Sequence, residues 1–302
     1  MNGQNYLTSP EIAETTIQTA VKKAKTPVIN QLLLGILAGA FIAFASEGSN
    51  MAAFNLLAKP ETYGLGKVLA GATFGTGLML VLIAGGELFT GNTMMIAGVL
   101  DKKVKVKDML KNWCFVYIGN FIGSVFIAYM INHSGQLSSG SNMLGAMTIK
   151  IAANKVGLSF SQAFILGILC NWLVCLAVWM AYGAKDITGK IFAIFFPIWL
   201  FITSGFEHSI ANMYYIPAGI MAKSNGALAE AAAQLGVTAE KLGHLNWGSF
   251  ITKNLIPVTL GNIVGGSLFV ASIYWFVYIR TNKKQEVTVV SEEKTANECT
   301  NK

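Results

Sequence analysis

The stretch GFEHSIAN, at positions 205–212, puts a glutamate, a histidine and an asparagine inside an apolar block that runs from 190 to 222. The stretch GELFTGN, at positions 86–92, interrupts a second long block, from 67 to 100, in a similar way. A helix needs only roughly 20 residues to cross a hydrocarbon core. Non-helical backbone at that depth is tolerated only where it is buried in protein or faces a cavity. Both blocks therefore predict a broken transmembrane helix.

Four further apolar blocks, at 29–46, 112–132, 160–183 and 254–279, bring the number of predicted crossings to six. Apolar residues make up 53% of the chain and charged residues only 12%, whereas soluble domains carry about a quarter charged residues. We therefore predict an all-α membrane protein with six transmembrane helices, the second and fifth broken, in a transmembrane domain over 29–280.

The two halves of the chain resemble each other. LGIL at 34–37 recurs at 166–169, and the Lys-Asn and Gly-Asn pairs at 111–112 and 119–120 recur, with the same spacing, at 253–254 and 261–262. The repeats cover about 29–132 and 160–279. Each holds three crossings, an odd number, so the second must be inverted relative to the first. Inverted repeats with a discontinuous helix in each half are typical of transporters and channels.

The flanking segments are polar. Residues 1–28 predict an amphipathic helix, with Ser9 as its cap and Pro10 at its first position, lying along the membrane surface. Residues 281–302 predict a polar cytoplasmic tail. With both termini inside, 15 of the 22 lysine and arginine residues lie on the inner side, as expected of a multi-pass protein of the plasma membrane. The lysines form no dense patch, which argues against a nucleic-acid partner.

Few ionisable groups lie at membrane depth, and each is a functional-site hypothesis by default. We expect Glu87 and Glu207, at equivalent places in the two halves, to tie down the interrupted backbone. His208 is the only histidine at this depth, and its equivalent in the first half is Leu88. A neutral imidazole can donate a hydrogen bond to an anion and can exchange a proton near physiological pH. A purely structural histidine is the alternative.

Other polar residues near the breaks are candidates for the same site. We expect the Thr90 hydroxyl to face His208 across the repeat interface. Asn171, Asn212 and Asn262 could orient neighbouring groups or simply pack helices. Lys155, predicted in a loop before the fourth span, would raise the local anion concentration or be merely solvated.

Apolar side chains near the inner helices could either narrow a pore or pack the bundle: Phe74, Leu78, Phe89, Val174 and Phe201. The four cysteines show no CxxC spacing, so the sequence indicates no disulfide, metal or cofactor.

Together these residues resemble the formate/nitrite transporter family. The strongest match is GFEHSIANM at 205–213, joined by ELFTGN at 87–92 and KNLIPVTLGN at 253–262. The resemblance implies an aquaporin-like protomer in a homopentamer, with one pathway per protomer for formate, nitrite or hydrosulfide, moved passively or with a proton.

By position, the resemblance places His208, Thr90, Lys155 and Asn262 on the substrate pathway. From their places beside the helix breaks and in the fourth span, we expect Glu207, Asn171 and Glu87 to support this pathway. It also places the five apolar residues named above at pore constrictions.

We therefore expect a pathway for a small monovalent weak-acid anion, with formate first and nitrite or hydrosulfide as alternatives. A neutral-solute pore is one competing hypothesis. The other is an intramembrane enzyme that uses His208 and Glu207, which no nucleophile or metal-ligand set accompanies.

Overall fold

The computed structural model describes residues 6–281, so the predicted tail at 281–302 lies outside the described residues but for Thr281. Within this range six helices are long and apolar enough to cross a membrane. They are Val28–Leu57, Pro60–Gly85, Val106–His133, Phe160–Gly183, Ile187–Ser204 and Trp247–Arg280. The predicted fold class, an all-α membrane protein with six spans, is confirmed.

The α-helices follow one another in this order: α1 Ser9–Lys25, α2 Val28–Leu57, α3 Tyr63–Met79, α4 Phe89–Asn92, α5 Ile96–Leu100, α6 Val106–His133, α7 Met143–Val156, α8 Phe160–Gly183, α9 Ile187–Ser204, α10 Ser209–Ala222, α11 Gly226–Gln234, α12 Ala239–His244, α13 Trp247–Ser249 and α14 Ile256–Gly266. Short π-helical stretches extend α3 over Leu80–Gly85 and precede and follow α14 over Phe250–Leu255, Ser267–Ser272 and Trp275–Arg280. We call the end of the bundle that carries α1 the inner end and the end that carries α7 the outer end.

The second and fifth spans are broken where the sequence predicts. The helical part of the second span stops at Gly85 and resumes at Phe89, and α9 stops at Ser204 before α10 begins at Ser209. Gly85 has a φ of 104° and Gly205 a φ of 79°. Because side chains clash in this left-handed region, glycine lets the chain leave each helix abruptly.

Glycines hold the two halves of the bundle at close range. A Cβ on Gly123 in α6 would lie 2.0 Å from the carbonyl oxygen of Ile36 in α2, and a Cβ on Gly265 in α14 would lie 2.4 Å from that of Ile168 in α8. The pair α2 and α6 therefore repeats as α8 and α14, with the same small-residue contact.

Helix α1 packs onto the inner end of the bundle and does not stand apart from it. It buries Ile12, Ala13 and Ile17 in the same apolar core as the spans. The capping residue is Thr8 and not the predicted Ser9: the Thr8 backbone N–H donates to Glu11 Oε2 at 2.6 Å. Serine and threonine are both favoured in this role, so the sequence pattern leaves the position uncertain by one residue.

Helix α2 continues well beyond the apolar block predicted at 29–46. The extension brings Glu47 into the span, where it is 4% exposed and accepts hydrogen bonds from the Tyr214 hydroxyl and from Gln136 Nε2. Sequence reasoning missed this buried carboxyl group because the block ended one residue before it.

We predict that Gly123→Ala destabilises the fold, because the new methyl group would overlap the backbone of α2. Overpacking of this kind costs about 1–3 kcal/mol. Gly64→Ala, also in a helix but with no atom within 4 Å of its Cβ position, is the matched control and should change stability by no more than about 1 kcal/mol. Thermal unfolding of the two variants in detergent tests this prediction. Equal melting temperatures would contradict it.

Candidate functional site at the two helix breaks

Asn262, in the last span, holds the backbone of the second break. Its Nδ2 donates to the carbonyl oxygens of Gly167 and Glu207 at 2.8 and 3.0 Å. Its Oδ1 accepts from the Ser209 N–H at 2.9 Å. Asn262 has no exposed surface, so its amide satisfies backbone groups that water cannot reach. The structure thus ties this predicted pathway residue to the backbone.

Asn120 does the same at the first break. Its Nδ2 donates to the carbonyl oxygens of Gly35 and Glu87 at 2.8 and 2.9 Å, and its Oδ1 accepts from the Phe89 N–H at 2.9 Å. The two asparagines make equivalent hydrogen bonds at equivalent places in the two halves. This correspondence supports the predicted inverted repeat at the level of individual atoms.

The Glu207 carboxylate sits in a buried polar cluster at the outer end. It accepts from Lys155 Nζ at 2.7 Å, from Asn212 Nδ2 at 2.6 Å and from Asn254 Nδ2 at 3.2 Å. The Glu207 N–H donates to the Leu166 carbonyl oxygen at 3.2 Å. The residue therefore ties the interrupted backbone through its main chain, while its side chain binds other side chains.

Glu87 occupies the matching cluster at the inner end. Its carboxylate accepts from Lys23 Nζ and Asn92 Nδ2, both at 2.7 Å. Asn92 also donates to Asn112 Oδ1, as Asn212 donates to Asn254 Oδ1. Each cluster thus holds one lysine, one glutamate and two asparagines, and the lysine-to-glutamate, asparagine-to-glutamate and asparagine-to-asparagine hydrogen bonds recur in both.

The predicted environment of Lys155 needs correction. Lys155 lies in helix α7 and not in a loop, and its ammonium group is paired with Glu207, so it is not simply solvated. Its counterpart Lys23, in α1, was missed. A signal was present in the sequence, because Lys23 precedes Leu34 by the same number of residues as Lys155 precedes Leu166.

His208 and Thr90 meet between the two breaks. The Thr90 Oγ1 lies 2.9 Å from His208 Nε2, and both residues are buried. His208 Nδ1 accepts a hydrogen bond from the Ala211 N–H at 3.1 Å and so caps helix α10. Because Nδ1 acts as acceptor, the neutral ring carries its proton on Nε2, which donates to Thr90.

This orientation leaves the Thr90 hydroxyl proton available. The loop around Thr90 is fixed by Asn171, whose Nδ2 donates to the Thr90 carbonyl oxygen at 3.1 Å and to that of Asn262 at 2.6 Å. Asn171 thereby links the break of the first half to Asn262. We call Asn120 and Asn262, whose side chains bind the backbone of the two breaks, the clamps.

Cavities lie toward both ends of the bundle, and the lining of neither includes His208 or Thr90. The outer cavity has a volume of about 810 Å³ and reaches Lys155 and Glu207, whereas a small inner pocket of about 20 Å³ is lined by Leu78, Leu88 and Val178, among others. Sequence reasoning did not place Leu88 and Val178 there.

The rings of the other predicted constriction residues lie in two places. Phe201 packs edge-on against Phe74, with ring centroids 5.6 Å apart, and lies 6.0 Å from the His208 ring. Phe89 packs against Trp113 and Tyr117. Val174 is buried at 2% exposure. The structure therefore groups Phe74 and Phe201 with His208, while the Phe89 ring packs against helix α6.

Two broken helices that meet at a buried polar pair, within inverted repeats of membrane spans, define a membrane transport protein. The family described as formate/nitrite transporter matches residues 10–276, and the chain belongs to this family.

Similar proteins bear names that agree with this assignment. A probable formate transporter of Methanothermobacter thermautotrophicus is 40% identical, over 92% of this chain and 99% of its own length. The formate channel FocA of Escherichia coli strain K12 is 36% identical, over 93% of this chain and 98% of its own length. A solved structure titled "Pentameric formate channel with formate bound" is 38% identical, covers 83% of this chain and 98% of its own, and gives a TM-score of 0.73.

We predict that the Lys155–Glu207 pair is energetically coupled. Breaking a buried ion pair by removing one partner costs about 3–5 kcal/mol, because the remaining charge is left unpaired. Lys155→Met should therefore destabilise the protein more than the double variant Lys155→Met/Glu207→Gln does. Lys107→Met, at an exposed position, is the control and should have little effect. Unfolding free energies of these variants in detergent micelles test the prediction. A double variant that is destabilised at least as much as Lys155→Met would contradict it.

Proposed function

We propose that this chain conducts small monovalent weak-acid anions, formate first among them, along a pathway that passes His208 and Thr90. The observation that carries the proposal is the 2.9 Å contact between the Thr90 hydroxyl and His208 Nε2, at the meeting point of the two broken helices. The names of the similar formate channels and transporters support the choice of anion.

The polar pair supplies hydrogen-bond donors where water is scarce. His208 Nε2–H polarises the Thr90 oxygen, and the hydroxyl proton of Thr90 is free to donate to an oxygen of the anion. Hydrogen bonds to a charged group stabilise by about 1.5–3 kcal/mol. The site thus offsets part of the dehydration penalty that the anion meets beside the packed apolar rings of Phe74 and Phe201.

Passage as the neutral acid would lower this barrier further, because an unpaired charge is far more costly to bury than a neutral group. We propose that the accompanying proton comes from water in the outer cavity. The ring of His208 is poorly arranged to supply it: a second proton would have to reside on Nδ1, which already accepts from the Ala211 N–H.

Nitrite and hydrosulfide are the other candidates. Formate and nitrite each present two oxygens to the Thr90 hydroxyl, whereas sulfur is a weaker acceptor. The site chemistry therefore favours an oxygen anion over hydrosulfide. It also favours an anion over a neutral solute or an enzymatic substrate, because lysines line the outer cavity.

We further propose that the protein assembles as a homopentamer in the plasma membrane, with both termini cytoplasmic. The similar solved structure is titled pentameric. The spans expose apolar residues on the sides that face away from the bundle, including Phe44, Ile122 and Phe126. These residues are available to lipid and to neighbouring copies.

We expect Thr90→Val to slow formate uptake into proteoliposomes by about tenfold or more, since valine keeps the shape of threonine but lacks its donor. Thr90→Ser restores the hydroxyl and should stay close to the parent rate. Isotopically labelled formate provides the measurement. Equal rates for the valine and serine variants would rule out a hydrogen-bonding role for Thr90.

A second prediction concerns the proton. If it comes from water, His208→Asn should slow uptake but leave the number of protons entering with each formate unchanged. Asparagine can still cap helix α10. A pH dye in the liposome lumen, with the membrane potential clamped and protein-free liposomes as control, measures this ratio. Formate entry without luminal acidification in the variant would instead make His208 the proton donor.

A further inference from the structure

The outer cavity carries more positive than negative charge. Three lysines, Lys67, Lys150 and Lys155, and a single carboxylate, Glu207, contribute to its lining. Lys155 is already neutralised by Glu207 at 2.7 Å. The attraction of an anion into this cavity must therefore come mainly from the other two lysines.

Lys67 lies beside the second helix break. Its Nζ lies only 3.4 Å from the position that a Cβ on Gly205 would occupy, and Gly205 is the residue at which α9 ends. Among the described residues the Lys67 ammonium group has no carboxylate within ion-pairing distance and no hydrogen-bond acceptor. Its charge is thus available to a ligand.

Asn50 lies at the same level on the neighbouring helix. The Ser49 hydroxyl donates to the Ala70 carbonyl oxygen at 3.0 Å, so the two antiparallel helices α2 and α3 are in register near Asn50 and Lys67. Asn50 also contributes to the cavity lining. It is 2% exposed, and its Nδ2 is buried without an acceptor in the described part of the chain. An unsatisfied buried donor is costly, and an anion would satisfy it.

We propose that Lys67 and Asn50 form a separate docking site for the monovalent anion in the outer cavity, one step before the His208–Thr90 pair. The site rests on the proposed function only in taking formate as the anion. Lys67 supplies the charge and Asn50 an amide donor. The site raises the local concentration of anions in the outer cavity. From there the anion must lose its bound water before it passes Phe74 and Phe201.

Concentration-dependent formate uptake into proteoliposomes tests the site. Lys67→Met keeps the aliphatic stem and removes the charge. We expect it to raise the formate concentration at half-maximal uptake at least threefold and to change the maximal rate less than twofold. Lys67→Arg should remain near the parent. Lys59→Met is the matched control, because Lys59 is exposed on the same side but does not line the cavity.

The effect should also depend on salt. The Debye length falls from about 30 Å at 0.01 M to about 3 Å at 1 M, so potassium gluconate, whose anion is bulky, should shrink the difference between Lys67→Met and the parent. An unchanged half-maximal concentration in Lys67→Met at low salt would overturn the proposal.

A binding measurement separates this proposal from the proposed function. Broadening of the ¹³C-formate signal by detergent-solubilised protein reports docking whether or not formate crosses a membrane. We expect Lys67→Met, and to a lesser degree Asn50→Leu, to reduce the broadening, while Lys59→Met leaves it unchanged. Reduced broadening together with absent parent flux would keep the docking site and reject formate conduction. Equal broadening in the parent and Lys67→Met would reject the site.

Discussion

An interrupted helix can exist inside a membrane only if the released backbone groups find partners within the protein, because no water is present to bind them. Asn120 and Asn262 meet this requirement, each with one side-chain amide that binds two carbonyl oxygens and one N–H. The breaks in turn bring Thr90 and His208 to the centre of the bundle. Close packing of α2 on α6 and of α8 on α14 holds the clamps in place, so the glycine contacts serve the site as well as the fold.

The His208–Thr90 pair does not follow the symmetry of the two repeats around it. The clamps and the lysine–glutamate clusters occur in both halves, but the position of His208 is taken by Leu88 in the first half. One half therefore brings an imidazole and the other a hydroxyl. The neutral ring uses Nδ1 to cap helix α10 and Nε2–H to orient Thr90. The helix cap through Nδ1 leaves Nε2–H for the role that we propose, so a structural histidine and a pathway histidine are compatible in one side chain.

The sequence predicted the six spans, the two breaks and the inverted repeat, because span length, hydropathy and local spacing carry this information. The repeat spacing marks Lys23 as the counterpart of Lys155, but it does not specify the ion pair of Lys23, which depends on a contact with Glu87 64 residues away along the chain. The polarity of helix α1 predicts a helix along the membrane surface, but it does not specify that Ile12, Ala13 and Ile17 pack into the bundle. The direction of the Phe89 ring, toward Trp113 and Tyr117, likewise depends on tertiary packing that no apolar pattern specifies.

The hydrogen bonds at the site make His208 a neutral donor through Nε2. Nitrogen-15 NMR of the ring in liposomes measures this state, with His133→Gln and His244→Gln introduced so that only His208 contributes a signal. We expect, at pH 7, one protonated nitrogen assigned to Nε2 and one unprotonated nitrogen that accepts a hydrogen bond. A proton on Nδ1, or on both nitrogens, would contradict it.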